Sequence, residues 1–371
     1  MLTLATLSCA IWLYLVFLHG RFWRAGPILR PERPVETPAV AVVVPARDEA
    51  RLIDTTLRSL LTQDYPGPFR VILVDDGSTD GTGEIARGLG DTRLTVLAGA
   101  PRPRGWSGKL WAVHQGVQEA GNAELVLLTD ADIVHAPSHV STLVAHATRG
   151  NYDVVSEMVQ LNCESLAERA FVPAFVFFFQ LLYPFDRVND PMSRTAAAAG
   201  GTILIRHRAL VRIGGIKAVR GELIDDVALA AAVKPFGRIW LGHSVLARSV
   251  RPYPEAIDIW RMIARTAYVQ LRFSVVLLTL TTMGMALTWL VPPAVALFGH
   301  GLPRVLAAVT WIMLAGSYLP TLVRFRRSPL WALALPLIAV FYMAATIGSA
   351  VNHYLGHGVA WKGRAYQGGE S

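Results

Sequence analysis

Hydrophobic and polar positions follow two different patterns along this chain. From Ala39 to about Val250, short apolar runs alternate with segments whose apolar residues recur at helical intervals. Such alternation predicts βαβ units and a mainly parallel sheet. Elsewhere, long runs carry no Asp, Glu, Lys or Arg, at residues 2–19, 274–298, 305–323 and 330–351. A helix needs about 20 apolar residues to cross a bilayer, so each run is long enough, or nearly so, to be a transmembrane helix.

The first apolar run could also be a cleaved secretory signal. It lacks a basic segment before its apolar core, and no small-residue cleavage site precedes the arginines that follow it. The later runs also favour retention in the membrane. We therefore predict an N-terminal transmembrane anchor over residues 1–22.

Positive charge is concentrated beside the apolar runs. The net charge is +8, and arginines follow the first run and separate the last two: Arg21, Arg24, Arg30, Arg33, Arg324, Arg326 and Arg327. The positive-inside bias predicts that both groups lie in the cytoplasm, and such residues also favour anionic lipid. Because membrane flanks explain the charge and no recognition motif accompanies it, we expect no nucleic-acid partner.

Carboxylates stand where the predicted strands end. Apolar runs predict strands at 39–46, 69–76, 94–99 and 123–130, and helical spacing predicts the helices between them at 47–63, 84–89 and 109–120. Asp75 and Asp76 end the second strand, and Asp130 and Asp132 follow the fourth. Ligands bind beyond the carboxyl ends of parallel strands. An unpaired buried charge is costly, so we expect these carboxylates to line a ligand crevice.

The pair Asp130 and Asp132 predicts a metal site. Residues at i and i+2 on an extended chain face the same side, and carboxylate oxygens suit Mg²⁺ or Mn²⁺. A motif of this kind found anywhere in a sequence is more often two solvated loop aspartates. Its position at the end of a central strand favours the metal.

Two further acidic stretches allow two interpretations each. In "VDDGSTDGT" (74–82), Asp75 and Asp76 could bind the base or ribose of a nucleotide, or they could form a turn with a helix cap. In "VPARDEA" (44–50), Arg47, Asp48 and Glu49 could reach the top of the first strand. Taken alone, those three are more typical of the charged first turn of a surface helix.

The remaining candidates precede predicted helices. Lys109 in "GWSGKLWA" could contact a phosphate, although a lysine at a helix start is usually a surface residue. Asp225 and Asp226 in "GELIDDVALA" could include a general base whose pKa is raised by its neighbour. Alternatively, they cap the helix and favour its dipole.

The order of these motifs resembles that of the family 2 glycosyltransferases, which use nucleotide sugars and have the GT-A fold. "PARDEA", "VDDGSTDGT", "TDADI" and "IDDVAL" match the acidic motifs of that family in sequence. Within it, "GWSGKLWAVHQG", "WRMIARTAYVQLRFS" and "WKGRAY" look most like the hopanoid-biosynthesis-associated membrane glycosyltransferases, relatives of the ceramide glucosyltransferases.

The resemblance implies a role for each matching residue. The nucleotide sugar would be bound by residues at the first two strand ends and their partners: Pro45, Arg47, Asp48, Glu49, Asp75, Asp76, Lys109 and Asp130. Asp130 and Asp132 would hold Mg²⁺ or Mn²⁺ on the diphosphate of a UDP-sugar. Asp226, beside Asp225, would be the general base of an inverting transfer.

One departure from the family bears on the acceptor. Many relatives carry a Q-x-x-R-W motif after the base, and here "WRMIARTAYVQ" (260–270) lacks it. Trp260, Arg261 and Arg265 are the candidates to replace it at the acceptor interface. The missing motif and the small number of spans favour transfer of a single sugar to a membrane lipid, hopanoid-like or sphingolipid-like.

These observations predict four segments. They are an anchor (1–22), an α/β GT-A domain (36–250), an amphipathic interfacial segment (251–273), and a C-terminal membrane domain with its tail (274–371). We expect an integral protein of a bacterial inner membrane with its catalytic domain in the cytoplasm. Segment 168–187 could be a buried helix or an interfacial one. Pro292 and Pro293 could break the first late run into a re-entrant hairpin, which leaves the side of the tail 361–371 open.

Other functions fit the sequence less well. A polyprenyl-phosphate glycosyltransferase or a polysaccharide synthase would share the family motifs. A metal-dependent nucleotidyltransferase would share the acidic strand ends, but its typical Gly-rich phosphate loop is missing from the sequence. A transporter is expected to carry charges inside its spans, and the four apolar runs carry none. A non-enzymatic membrane protein would have no use for acidic strand ends.

Overall fold

The computed structural model describes residues 1–356, 359–361 and 364–366. Most of the tail 361–371 therefore lies outside the described residues. The strands are β1 (Val40–Ala46), β2 (Phe69–Asp75), β3 (Leu94–Ala98), β4 (Leu125–Thr129), β5 (Ile133–His135), β6 (Val154–Gln160), β7 (Thr202–Arg206), β8 (Ile239–Ser249), β9 (Val359–Trp361) and β10 (Arg364–Tyr366).

The helices before the C-terminal apolar runs are α1 (Leu2–Phe17), α2 (Ile53–Leu61), α3 (Thr82–Gly88), α4 (Gly108–Glu119), α5 (His139–Arg149), α6 (Leu166–Leu182), α7 (Phe185–Asn189), α8 (His207–Ile213), α9 (Asp225–Val233), α10 (Ala256–Ala264) and α11 (Ala267–Gln270). Three longer helices follow: Val275–Phe298, Gly301–Arg324 and Trp331–Tyr354. The described chain divides into two compact units, an α/β unit (27–162 and 187–252) and an apolar helical unit (1–26, 163–186 and 253–360). This division places 163–186 with the apolar helices, whereas the sequence grouped it with 36–250.

The α/β unit is built on one mixed sheet of order β3-β2-β1-β4-β7-β6-β8-β5. The pairs β1–β2, β2–β3, β1–β4 and β6–β8 are parallel, while β7 is antiparallel to β4 and β6, and β5 to β8. The predicted mostly parallel α/β fold is therefore confirmed. All seven residues of β1 are buried, as expected for a central strand covered on both faces.

The chain reverses its direction of strand addition beside β1. β2 and β3 add on one side of β1, and β4 pairs with it on the other. Ligand crevices of open α/β sheets form at such a switch point, beyond the carboxyl ends of the strands. The ends of β1, β2 and β4 carry Ala46, Asp75 and Thr129, so the acidic motifs follow directly from this topology.

The helix predicted at 47–63 begins only at Ile53. Residues 47–52 instead form a loop in which Asp48 has a φ of 50°, a conformation uncommon outside glycine. Backbone hydrogen bonds from this loop to the turn after β2 fix it there, with Asp48 N–H donating to Ser78 Oγ at 3.0 Å. Tertiary hydrogen bonds therefore override the helical spacing at this point.

The helical unit contains three helices long and apolar enough to cross a membrane. Each has 24 residues, which at 1.5 Å per residue is about 36 Å and exceeds the roughly 30 Å hydrocarbon core. The N-terminal α1 has 16 residues, about 24 Å, and is shorter than a full span. Its Ala5 packs with Val295, Ala296 and Ala307 of the first two long helices.

Val275–Phe298 is one continuous helix, so the alternative of a re-entrant hairpin at Pro292 and Pro293 is wrong. A π-helical segment over Ala286–Leu290 precedes the prolines. Pro292 has no N–H to donate to the carbonyl of Thr288. The indole N–H of the buried Trp12 donates to that oxygen instead, at 2.8 Å, so the Thr288 carbonyl keeps a hydrogen-bond donor.

Two other predicted segments take a definite form in the helical unit. The amphipathic segment 251–273 contains α10 and α11, and Arg272 and Phe273 that follow have positive φ. Helix α6, which overlaps the stretch 168–187, buries Val172 and Phe177 almost completely, and its Phe171 carbonyl accepts from Tyr342 Oη at 2.8 Å. It thus packs as a buried helix against the apolar helices, as one of the two interpretations predicted.

Candidate active site

The loop after β1 is fastened to the turn after β2 by hydrogen bonds. Glu49 N–H donates to Thr82 Oγ1 at 2.8 Å, and Thr79 N–H donates to Asp48 Oδ1 at 2.9 Å. Ser78 N–H donates to Asp75 Oδ1 at 2.9 Å. The two acidic motifs therefore form one connected rim, in which Asp48 and Asp75 each use one carboxylate oxygen to hold the loops.

Asp76 lies deeper than the rest of this rim. Only 3% of it is exposed, and its backbone N–H donates to the Ala46 carbonyl at 2.9 Å. The Arg47 guanidinium donates to the Asp76 carbonyl at 2.5 Å and lies 3.7 Å from its carboxylate. Arg47 thus neutralises the buried carboxylate at the top of β2.

Lys109 lies between Asp130, a predicted metal ligand, and Asp225, a predicted catalytic residue. Ser107 caps α4 by accepting from Leu110 N–H, which places Lys109 in the first turn. Its Nζ lies 2.9 Å from Asp130 Oδ1 and 3.2 Å from Asp225 Oδ2. Lys109 is therefore part of the site and not a free surface lysine, and it joins the end of β4 to the start of α9.

Asp226 is held by backbone donors on both of its oxygens. Gly200 N–H donates to Oδ2 at 2.8 Å, and Val227 N–H donates to Oδ1 at 2.8 Å. A Cβ on Gly200 would lie 3.2 Å from Asp226 Oδ2 and 3.5 Å from Lys109 Nζ, so glycine allows this close approach. Asp225 and Asp226 are the first two residues of α9, and neither is its N-cap, which is Ile224.

Burial and neighbouring charges shift the pKa values of this cluster. Burial raises the pKa of Asp226, and the nearby charge of Asp225 raises it further, to about 6. Burial also raises the pKa of Asp130. Burial alone would lower the pKa of Lys109, but Asp130 and Asp225 more than offset it, so the net pKa is raised and the amine stays protonated. Asp226 can therefore change between a base and an acid near neutral pH.

Asp132 is turned toward a cation that sequence reasoning missed. Arg251 Nε lies 3.0 Å from Asp132 Oδ2, and its Nη2 lies 2.5 Å from Glu49 Oε1. Ser249 Oγ donates to the same Asp132 oxygen at 3.0 Å. Arg251 follows the end of β8, so the available sequence signal was a basic residue directly after a strand.

The Asp130 cluster fits a divalent cation by the chemistry of its donors. Three carboxylates, of Asp130, Asp225 and Asp226, surround one ammonium and leave two negative charges when all are ionised. Mg²⁺ and Mn²⁺ bind through one or two carboxylates and complete their coordination with substrate phosphates and water. Among the described residues, no group of three or more His, Cys, Asp or Glu side chains is arranged to hold a metal by itself.

A cavity opens beside these groups. Its empty space, open solvent included, is about 380 Å³. Its lining includes residues from the ends of β1 and β4, the Gly200 loop and the starts of α4 and α9: Pro45, Lys109, Thr129, Asp130, Gly200, Asp225 and Asp226. The predicted catalytic residues thus meet at one place, at the switch point of the sheet.

The predicted acceptor residues belong to the helical unit. Trp260 in α10 packs its ring against Phe341 at a centroid distance of 5.6 Å and against Gly348. Arg261 is exposed and lies 3.5 Å from Asp258, and Arg265 is exposed at the end of α10. Trp260 therefore has a packing role, and the two arginines face outward.

Comparisons with known proteins find a matching family, named relatives and a solved structure of similar fold. Residues 41–214 match the family model of Glycosyl transferase family 2. A 4,4'-diaponeurosporenoate glycosyltransferase of Staphylococcus aureus (strain bovine RF122 / ET3-1) is 28% identical over 202 residues, which cover 52% of this chain and 51% of that protein. The chain thus spans about half the length of the curated relatives it matches.

A solved structure shares the fold over nearly the whole chain. The mannosyltransferase PcManGT from Pyrobaculum calidifontis, in complex with GDP-Man and Mn²⁺, superposes with a TM-score of 0.56 at 21% sequence identity. The match covers 94% of this chain and 97% of that one. Residues 41–214 thus form a domain that matches Glycosyl transferase family 2, and the solved structure shows that the chain has a GT-A-like α/β fold.

Proposed function

We propose that this enzyme transfers a single sugar from a UDP-sugar to a hydroxyl group of a membrane lipid, with inversion at the anomeric carbon. One observation carries the proposal. Asp226, a carboxylate with a raised pKa, lies in the same cluster as Lys109 and Asp130, at the ligand end of the sheet. The cluster thus combines a base with groups suited to a diphosphate leaving group.

Asp226 is the proposed base. Its two backbone donors, Gly200 and Val227, fix the orientation of the carboxylate and leave lone pairs free to accept a proton from the acceptor hydroxyl. Removing that proton makes the oxygen a better nucleophile as it attacks the anomeric carbon. Burial and, after it, the negative charge of Asp225 raise the pKa of Asp226 to about 6, so Asp226 can release the proton afterwards.

Lys109 is proposed to meet the diphosphate as negative charge develops on the leaving group. Its protonated amine carries a fixed positive charge at the end of β4. Asp130, with Asp132 beside it, would hold Mg²⁺ or Mn²⁺, which when bound supplies further positive charge to the diphosphate. The rim residues Pro45, Arg47, Asp48, Glu49, Asp75 and Asp76 would bind the nucleoside.

The membrane placement rests on the three long helices and the arginines. If the α/β unit before Val275 is cytoplasmic, two spans return the chain to the cytoplasm at Arg324. Arg326 and Arg327 follow there, as the positive-inside bias expects. With a third span, the tail leaves on the opposite side. We propose this topology in a bacterial inner membrane.

A lipid acceptor follows from this placement. Large apolar side chains stay exposed along the three long helices, including Val276, Leu280, Ile312 and Leu337, as lipid-facing residues do. The named relative is a 4,4'-diaponeurosporenoate glycosyltransferase. A hopanoid-like or sphingolipid-like alcohol is the acceptor class that we propose here. A GDP-sugar donor is the second candidate, because the solved neighbour contains GDP-Man.

Membranes that contain the wild type or Asp226→Asn test the proposal. They are supplied with radiolabelled UDP-glucose, UDP-N-acetylglucosamine or GDP-mannose, Mn²⁺ and a lipid extract, and label entering the organic phase is counted. We expect label from a UDP-sugar with the wild type and none with Asp226→Asn or with chelator. Asp54→Asn, the same change at an exposed residue of α2, is the matched control and should retain activity. Label from GDP-mannose alone would replace the UDP-sugar by the second candidate, and equal label from wild type and Asp226→Asn would refute the base.

A further inference from the structure

A chain of buried polar side chains runs beneath the candidate active site. Glu157 Oε2 lies 2.6 Å from His139 Nε2, and His139 Nδ1 lies 2.8 Å from His135 Nδ1. His135 Nε2 lies 3.1 Å from Thr129 Oγ1. All four residues are at most 3% exposed, and Thr129 immediately precedes Asp130. The proposed mechanism gives none of the four a role.

The chain ends on the loop that carries Gly200. Thr129 Oγ1 donates to the Gly201 carbonyl at 2.8 Å. From the other side, Ser156 Oγ accepts from Ala199 N–H at 2.8 Å and donates to the Thr202 carbonyl at 2.9 Å. The loop is therefore held on both sides by buried hydroxyl groups. Its Gly200 N–H is the group that donates to Asp226.

The number of hydrogens available determines the direction in which each side chain from Glu157 to Thr129 donates. The four contacts from Glu157 to the Gly201 carbonyl need four hydrogens, one for each contact. The Thr129 hydroxyl and two neutral imidazoles supply only three. A fourth proton, shared by His139 and Glu157, satisfies every contact and cancels the charge of the buried carboxylate, which would otherwise be costly.

With this proton in place, each donor has one direction. His139 donates to His135 Nδ1, His135 donates through Nε2 to Thr129, and Thr129 donates to Gly201. Without it, His135 would donate through Nδ1 and its Nε2 would take the Thr129 hydrogen from the Gly201 carbonyl. Burial, with the neighbouring His139, lowers the pKa of His135 well below its usual value, in agreement with a neutral ring there.

We propose that Thr129, oriented by His135, His139 and Glu157, is a positioning residue that holds the Gly200 loop so that Gly200 N–H donates to the base Asp226. The role in catalysis rests on the proposed function, whereas the hydrogen-bond directions do not. His135, His139 and Glu157 are not among the residues that line the cavity, and Thr129, which lines it, donates its hydroxyl hydrogen to the Gly201 carbonyl. They act through the loop alone.

The first test removes one hydroxyl without changing shape. Thr129→Val should speed hydrogen–deuterium exchange at the Gly200 amide, because the Gly201 carbonyl loses the Thr129 donor and keeps only that of its sequence neighbour Thr202. Thr129→Ser keeps the hydroxyl and should exchange like the wild type. Equal exchange in Thr129→Val and the wild type would refute the positioning role. This measurement needs no acceptor, so it decides the proposal even if no sugar transfer is found.

The second test reads the direction of the chain. In ¹⁵N-histidine-labelled protein, solid-state NMR should show His135 as the Nε2–H tautomer, with its signal assigned by its loss in His135→Gln. Glu157→Gln should preserve this tautomer, because the amide N–H₂ supplies the fourth hydrogen without a charge. An Nδ1–H tautomer of His135 in the wild type would overturn the proposed direction.

The third test separates positioning from packing in the working enzyme. Thr129→Val should lower kcat about tenfold, the scale of one lost hydrogen bond, while UDP affinity is unchanged. The hydrogen bond from Gly200 N–H to Asp226 should weaken, which raises the pKa of Asp226. The acid limb of the kcat profile should therefore move to higher pH, while Asp225 and Lys109 still face the base. Thr129→Ser should restore both. A fall in melting temperature with an unmoved acid limb would mean that Thr129 only packs.

Discussion

Asp130 and Asp132 are separated by one residue, yet they belong to two different kinds of charge cluster. Asp130 shares the ammonium of Lys109 with Asp225, and Asp226 is close by. Asp132 is bound by Arg251, which also binds Glu49. The first cluster has three carboxylates for one cation, and the second has two. When all groups are ionised, the Arg251 cluster carries a net charge of −1 and the Asp130 cluster −2. The more unbalanced cluster is therefore the one where a metal and a diphosphate are proposed to bind.

The geometry of the two clusters differs in the same way. Arg251 uses two different nitrogens on two carboxylates, and the side chains of Glu49 and Asp132 are only 8% and 13% exposed. Asp130 is 34% exposed and opens to the cavity. The Arg251 cluster is thus closed by its own hydrogen bonds, whereas the Asp130 cluster can accept further partners.

The largest effect is expected from removing Asp226, the proposed base of the unbalanced cluster. Asp226→Asn keeps the shape of the side chain but removes its ability to accept a proton. Because general-base catalysis typically contributes about 10²- to 10⁴-fold, kcat should fall by that order while UDP affinity is retained. Steady-state rates and UDP titration of the same preparation measure both. A tenfold loss or less would move the base elsewhere.

The next effect separates the two aspartates by metal dependence. Asp130→Asn should weaken Mn²⁺ activation about 10- to 100-fold, because the open cluster loses its proposed ligand. Asp132→Asn should weaken Mn²⁺ activation less and lower the melting temperature more, because it breaks the Arg251 cluster. Activity against Mn²⁺ concentration, with melting curves, measures the pair. The opposite ranking would make Asp132 the principal metal ligand.

The pH at which kcat falls on the acid side should depend on the charges in the unbalanced cluster. Protonated Asp226 cannot accept the hydroxyl proton, so kcat should fall as the pH falls through about 6. Asp225→Asn removes the like charge and should move this limb to lower pH. The kcat profile from about pH 5 to pH 8 checks both expectations. A limb that stays in place in Asp225→Asn would contradict the coupling of the two carboxylates.

The sequence predicted the sheet and the acidic strand ends because both are local patterns. The predicted strands 39–46, 69–76 and 123–130 differ by at most two residues at each end from Val40–Ala46, Phe69–Asp75 and Leu125–Thr129. Buried parallel strands are continuous apolar runs, which are visible without any tertiary information. The carboxylates that follow them need only the rule that strand ends line the crevice.

What the sequence missed depends on contacts between distant residues. Arg251 lies 119 positions from Asp132, and no local pattern links them. The late start of α2 depends on the hydrogen bond between Asp48 and Ser78, 30 positions apart. The buried chain from Glu157 to Thr129 likewise joins different strands and a helix. Such contacts require the folded sheet, because only its topology brings their members together.

A smaller effect is expected from breaking the Arg251 cluster, which tests whether that cluster is a structural element. Arg251→Met leaves Glu49 and Asp132 without their guanidinium and should lower stability by about 1–3 kcal/mol, the cost of unpaired buried charge partners. Arg251→Lys keeps the charge but cannot reach both carboxylates in the same fork and should lie between. Melting temperatures and Mn²⁺ activation measure stability and metal affinity separately. A normal melting temperature with weaker donor binding would assign Arg251 to the substrate instead.

The smallest effect concerns an exposed ion pair that belongs to neither cluster. Arg261 is 72% exposed and lies 3.5 Å from Asp258, so water screens the pair and its loss should cost less than about 1 kcal/mol. Arg261→Ala should therefore melt like the wild type. If Arg261 contributes to the acceptor interface as proposed, the KM for the lipid should rise while UDP affinity is unchanged, and Arg58→Ala, at another exposed pair, should change neither. An unchanged lipid KM would remove Arg261 from the proposed acceptor site.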